Sequence, residues 1–370
     1  FITILDANIT TLLALAVLFV FGTSSVKGFA TMLIVSILIS FLTSVYGTRL
    51  LLGLWVKSRY LNKKPGWFGV KQEHIKDIAN TEDFEPTFFN RTFNIVKHRK
   101  KLFIFTISII IIGAISLLLL RLNPGIDFTS GSRIEVLSGS SLDTEQIESE
   151  LQSMQLEPTS IVLSGENNEI AVTRYDTVLS DDKIAEIKAF FNDKYGYEPN
   201  VSVVSPSVGQ EHVKNALYAV AIALIGMIIY VTFRFELFFS ITAIFALLFD
   251  TFFTLVILSI TRIEFDVTIV AAILTIIGYS INNTIVVFDR IRENIRKRNK
   301  LIKSKKELAT IINRSLIQTF TRSMNTTSTT LIAVFSFLVI GAQAISGFAI
   351  ALIVGLIAGT YSSLFLASQL

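Results

Sequence analysis

Residues 278–294 read GYSINNTIVVFDRIREN, and the fold turns on whether this stretch crosses a membrane. The apolar run it completes, 267–288, has about 22 residues and spans roughly 33 Å as a helix, enough to cross a bilayer. Two adjacent amides, Asn282 and Asn283, interrupt it. Polar groups inside a span are expensive, so such a pair marks either helix–helix contacts or a working site. Tyr279 and Asn283 stand at i and i+4 on one helical face, with Asn282 about 100° away, so the pair addresses two neighbouring helices. Asp289, Arg290, Arg292 and Glu293 then carry the helix out of the bilayer. On the preceding apolar run, Asp250 sits in ALLFDTFFTL near mid-span, where an ionisable group is a functional hypothesis by default.

Composition agrees with a membrane protein. The 370 residues are 51% hydrophobic, mean hydropathy is +0.60, and apolar runs reach spanning length repeatedly. The net charge of +4 does not describe a nucleic-acid surface, because the basic residues cluster in loops beside spans, as the positive-inside rule expects. Without a cysteine the chain has no disulfides, thiolate metal sites or cysteine nucleophiles. His74, His98 and His212 all fall outside the expected spans, so a proton relay in the bilayer must use carboxyl, amide, hydroxyl or arginine groups. With no GxxxxGK[ST] loop, ATP hydrolysis is not expected.

In chain order, runs at 9–21 and 29–54 form a membrane hairpin, the first reaching full length only if Asp6 to Asn8 lie inside its helix. A polar linker, 56–101, carries eleven Lys or Arg and reads as cytoplasmic. Its Phe84, Phe88, Phe89 and Phe93 could lie along the membrane surface. Residues 102–120 make the third span. Segment 121–212 holds sixteen Asp or Glu against six Lys or Arg and reads as an extracytoplasmic domain. Its pattern is strand 132–137, helix 144–155, strands 159–163 and 169–174, helix 181–195 and strand 200–204, the βαββαβ order of ferredoxin-like folds. Ser141, Asp143 and Thr144 are cap candidates. An exposed edge or groove along 132–137 and 200–204 is the expected place for an extended chain to bind. Five spans follow at 217–233, 238–258, 267–288, 326–340 and 348–366, with the basic loop 290–322 cytoplasmic. The expected fold is an α-helical membrane bundle of eight spans with a small α+β ferredoxin-like extracytoplasmic domain.

The chain also repeats itself. A shift of 319 residues lays Thr10, Thr11 and Leu12 on Thr329, Thr330 and Leu331, and without a gap lays Gly28, Phe29 and Ala30 on Gly347, Phe348 and Ala349, giving fifteen identities over fifty-one residues. Parallel repeats of this kind build the two halves of many transporters, with the site between them. By that symmetry, an equivalent domain and four spans should precede Phe1.

TILDANITTL and GTSSVKGFA, followed by GIDFTSGS, VSPSVGQE, GYSINNTIVVFDRIREN and QTFTRSMNTTSTTL, resemble in combination the SecD/SecF family of bacterial protein-export factors in its fused form, within the resistance-nodulation-division superfamily. The resemblance divides the chain into the last two SecD-like spans (1–55), a linker (56–101), the first SecF-like span (102–120), the outer domain (121–212) and a five-span bundle (213–370). It implies a non-enzymatic accessory of the SecYEG translocon in the bacterial cytoplasmic membrane. That accessory acts on exported unfolded polypeptides, works with an N-terminal SecD-like half, and needs no cofactor beyond the proton gradient. The candidate relay residues are Asn283, Asp250, Arg322, Asn282 and Tyr279, with Asp6, Asn8 and Asp289 secondary; of these the resemblance itself points to Asn283 and Arg322. At Asn283 the family pattern INDT reads INNT here. A carboxyl can load and release a proton where an amide cannot, so Asn283 mimics a protonated Asp. Arg322 matches the family's functional arginine and is expected at the cytoplasmic mouth of the next span. A passive translocon scaffold and a small-molecule or lipid exporter remain alternative readings.

Overall fold

The structure is a computed structural model that describes residues 2–58, 64–68, 94–165, 167–297, 304–340 and 345–370. Most of the basic linker, with Phe84, Phe88, Phe89 and Phe93, lies outside the described residues. Among those described, eight helices are long and apolar enough to cross a membrane. They are α1 (Ile2–Phe21); α2 (Ser24–Leu42), which continues through a π-helical turn (Thr43–Gly47) into α3 (Thr48–Lys57); α4 (Arg99–Leu120); and, after the α+β domain, α8 (Pro206–Arg234), α9 (Leu237–Thr261), α10 (Val267–Lys297), α11 (Lys305–Ile340) and α12 (Ser346–Tyr361), which ends in a second π-helical turn (Ser362–Leu366). Asp6 and Asn8 do lie inside α1, which makes that helix long enough to span. The final apolar run is not one regular helix. The two π-helical turns stand 319 residues apart, so the backbone repeats at the same offset as the sequence.

Position in the bundle follows from polarity. α10 carries small and branched apolar residues on nearly every side and is the most deeply buried span, packed against α1, α9, α11 and α12. α2 and α4 keep large apolar side chains exposed, including Ile39, Leu42, Ile112 and Leu118, as helices facing hydrocarbon do. α11 begins well before the expected 326. Its first half is amphipathic rather than apolar, so a search for apolar runs misses it, yet Ile311, Ser315, Leu316 and Thr319 are buried there.

The α+β domain contains β1 (Asn123–Pro124), a short α5 (Ile126–Thr129), β2 (Gly131–Leu137), α6 (Thr144–Ser153), β3 (Ser160–Ser164), β4 (Ile170–Tyr175), α7 (Asp181–Tyr195) and β5 (Asn200–Val204). The antiparallel sheet has the order β3-β4-β2-β5 of a ferredoxin-like βαββαβ fold. Ile134 stands opposite both Thr173 and Val201, and with Val136 it packs on Ile147, Leu151, Ile187 and Phe191 from the two helices. Asp143 caps α6 by accepting from the Glu145 amide at 3.4 Å. The expectation of an open edge along 132–137 is corrected: β2 is the central strand and is paired on both sides, which leaves β3 and β5 as the edges. The alternation that identified β2 marks one buried face but cannot say which strands flank it.

Candidate functional site: a carboxyl–hydroxyl layer in the bundle

Asp250 projects from the middle of α9 into the bundle and is fully buried. Its Oδ2 accepts from the Ser280 hydroxyl of α10 at 2.5 Å and from the Ser362 hydroxyl of the second π-helical turn at 2.9 Å. The other oxygen, Oδ1, is buried and has no hydrogen-bond partner among the described residues. Among the described residues no Lys or Arg pairs with this carboxyl.

Close helix approach makes the arrangement possible. A Cβ at Gly359 would stand 3.0 Å from both Cβ and Oγ of Ser280, and one at Gly355 would collide with Ile276, so α12 meets α10 where only glycine fits. The π-helical turn then departs from the regular i, i+4 pattern just where Ser362 and Ser363 are needed, a common feature of functional sites. Ser363 meets Thr284 at 3.1 Å, and one turn earlier, in α12, Thr360 meets Thr327 of α11 at 2.7 Å. Four helices are thus joined through hydroxyls around one carboxyl.

The residues proposed from sequence fall in three places. Asn283 is buried on α10 one turn beyond Ser280, and its Nδ2 finds no acceptor among the described residues. A buried amide nitrogen without an acceptor carries a desolvation cost of about 1–3 kcal/mol. Tyr279 bonds Thr330 of α11 at 3.3 Å, and Asn282 is half-buried. Arg322 lies midway along α11 with an exposed side chain, where the polar first half of the helix, begun at Lys305, gives way to its apolar second half. Asp6 is brought to a second polar cluster, at the end of the bundle away from the α+β domain. There it accepts from Tyr230 and Arg234 of α8, each at 2.7 Å. Asp289 is paired with Arg292 at 3.1 Å, and both Arg234 and Arg292 lie over the Phe235 ring in this cluster. Asn8 bonds back to the Ile4 carbonyl at 2.8 Å.

Sequence reading missed Ser280, Ser362, Ser363, Thr284, Thr327 and Thr360, since a hydroxyl in an apolar helix usually bonds its own i−4 carbonyl and carries no functional signal. It also missed Arg234 as the partner of Asp6. An arginine at a helix end reads as a membrane anchor.

The molecule is a multi-pass helical membrane protein built around a buried carboxyl–hydroxyl layer, with a ferredoxin-like domain on one end of the bundle. Residues 185–370 match the C-terminal part of the protein export membrane proteins SecD/SecF, and residues 115–138 match the SecD/SecF GG motif. The chain is 55% identical to the protein translocase subunit SecDF of Bacillus subtilis, over all of its own length and 50% of that protein. It is also 38% identical to the protein translocase subunit SecF of Desulfurispirillum indicum, over 71% of this chain and 85% of that one. Its fold superposes on the crystal structure of SecDF, a translocon-associated membrane protein from Thermus thermophilus, with a TM-score of 0.80 at 29% identity, covering 99% of this chain and 47% of that one. The chain belongs to the SecD/SecF family of protein export membrane proteins. It spans about half the length of the SecDF proteins it matches.

Proposed function

We propose that the chain acts as part of an accessory to the Sec translocon that uses the proton gradient to promote late steps of protein export, with the α+β domain outside the cytoplasmic membrane. Support for export comes from relatives named as translocase subunits and from the translocon association of the Thermus protein. Support for the sidedness is the charge distribution, with sixteen acidic residues in 121–212 and eleven basic ones in 290–322.

The observation that carries proton coupling is the bonding of Asp250. An ionised carboxyl accepts on both oxygens, whereas a protonated one donates from one of them. Each proton gained or lost therefore changes what Ser280 of α10 and Ser362 beyond α12 can bond to, and with it how α9, α10 and α12 pack. One charge crossing the membrane gains about 2.3 kcal/mol per 100 mV, enough for one or two protons to tilt a domain equilibrium.

Asn283 tests the reading, because it stands where the family pattern has a carboxyl. Asn283→Asp, in a chain extended to the length of its SecDF relatives, should raise gradient-dependent export and should hold the bundle less firmly in the state of the protonated acid. Equal export by the two forms in vesicles, measured after the ATP-driven step is complete, would return Asn283 to a packing role. No response of export to the gradient in either form would favour a passive scaffold.

A further inference from the structure

The α+β domain does not hang from the bundle on linkers. β5 runs into α8 through Ser205 alone, with Pro206 in the first helical turn, where its missing N–H is not needed. On the other side β1 lies parallel to β6 (Glu264–Phe265), the two-residue strand between α9 and α10, with Asn123 opposite Glu264 and Pro124 opposite Phe265. The Gly125 amide donates to the Phe265 carbonyl at 2.8 Å, the Asn123 side chain donates to the Arg262 carbonyl at 3.0 Å, and the Phe128 and Phe265 rings stack.

Two charged side chains close this joint. Arg174, on β4, donates from one nitrogen to the Pro124 carbonyl at 2.5 Å and to Thr129 Oγ1 at 3.3 Å, while its other terminal nitrogen lies 3.6 Å from Glu264. It thereby fastens the main sheet to both strands of the short ladder. Asp127, on α5, accepts the Val267 amide at 3.2 Å, so the first turn of α10 is capped from the α+β domain. Asp266 supplies the local cap by accepting the Ile269 amide at 2.9 Å. Thirteen residues along α10 from Val267 stands Ser280, roughly 20 Å away along the helix.

We propose that Asp127 and Arg174 are positioning residues that make the α+β domain and α10 one rigid body, so that a shift of α10 at the carboxyl–hydroxyl layer moves the domain without loss at a hinge. The proposal rests on the export reading given above, and its test separates the two. These 370 residues hold no cysteine, so Asn123→Cys with Glu264→Cys introduces the one disulfide possible within them. Paired strands lie about 4.8 Å apart, within the Cα separation a disulfide accepts.

In a chain extended to the length of its relatives, the cross-link should form fully with and without a proton gradient, and the oxidised protein should export as well as the reduced one. Arg174→Ala should slow cross-linking and lower gradient-dependent export about fivefold or more, the size of a typical coupling between sites. Oxidation of the Arg174→Ala cysteine pair should restore export, a rescue that a merely misfolded variant would not show. Loss of export on oxidation, restored by dithiothreitol, would mean that the joint must open and would overturn the proposal. So would Arg174→Ala with unchanged cross-linking. Export that ignores the gradient in every form, with cross-linking as expected, would instead remove the proton-coupling reading and leave the rigid joint standing.

Discussion

Asp250→Asn and Asp250→Leu separate the chemistry of the buried layer from its packing. In the wild-type bundle one carboxyl oxygen takes the Ser280 and Ser362 hydroxyls, and the other takes no donor among the described residues. An amide can offer its oxygen to the same two hydroxyls and turn its nitrogen to the unoccupied side, so Asp250→Asn should change stability by no more than about 1 kcal/mol. Asp250→Leu removes the acceptor altogether. Ser362 keeps the Gly359 carbonyl at 3.2 Å, but Ser280 loses its recorded acceptor. One lost hydrogen bond and one buried hydroxyl left unsatisfied sum to about 2–4 kcal/mol. The assay pairs thermal unfolding in micelles with gradient-dependent export in vesicles. Leu should lower both stability and export, whereas Asn should abolish the gradient dependence while unfolding close to the wild-type temperature. If Asp250→Asn kept its full gradient dependence, Asp250 would not be the proton carrier; if Asp250→Leu were as stable as wild type, the hydroxyls would not depend on the carboxyl.

Other outcomes follow from particular groups. Ser130 has φ +66 and ψ 164, a region nearly reserved for glycine, so Ser130→Gly should raise the unfolding free energy by about 1–3 kcal/mol in urea titrations. Burial, together with the nearby Asp127 and Glu264 carboxylates, holds the carboxyl of Asp266 above its ordinary range, against the bonds from Thr268 and Ile269. The folded state thus binds this proton more tightly, and its contribution to stability is lost as pH rises from the ordinary carboxylate range through the raised value. Asp266→Asn, which can still cap, should flatten that fall, read by hydrogen exchange at the start of α10; an unchanged profile would show that another group titrates there. Glu150, buried in the α+β domain, accepts from Lys194 at 2.6 Å and from Tyr195 at 2.9 Å, and burial with this carboxylate pushes the Tyr195 phenol up. Tyr195→Phe should destabilise that domain by about 1–3 kcal/mol without changing the midpoint of bundle unfolding.

What the sequence determined by itself is whatever local periodicity and solvent preference decide. Eight spans, the βαββαβ order and the depth of Asp250 all follow from runs, alternation and the cost of charge in hydrocarbon, and the 319-residue offset between TTL triplets reappears in the two π-helical turns. Helix 181–195 and strand 200–204 also fall where the pattern puts them. Tertiary structure alone decided the partners. Ser280, Ser362 and Asp250 are 30 and 112 residues apart in pairs, and only the glycine contacts of α12 with α10 bring them together. Likewise Asp6 meets Arg234 across 228 residues, and β2 takes the centre of its sheet rather than an edge. A hydroxyl or a two-residue strand carries too little local preference to declare its contact, because its free energy is realised only once a distant group of the right polarity has been packed against it.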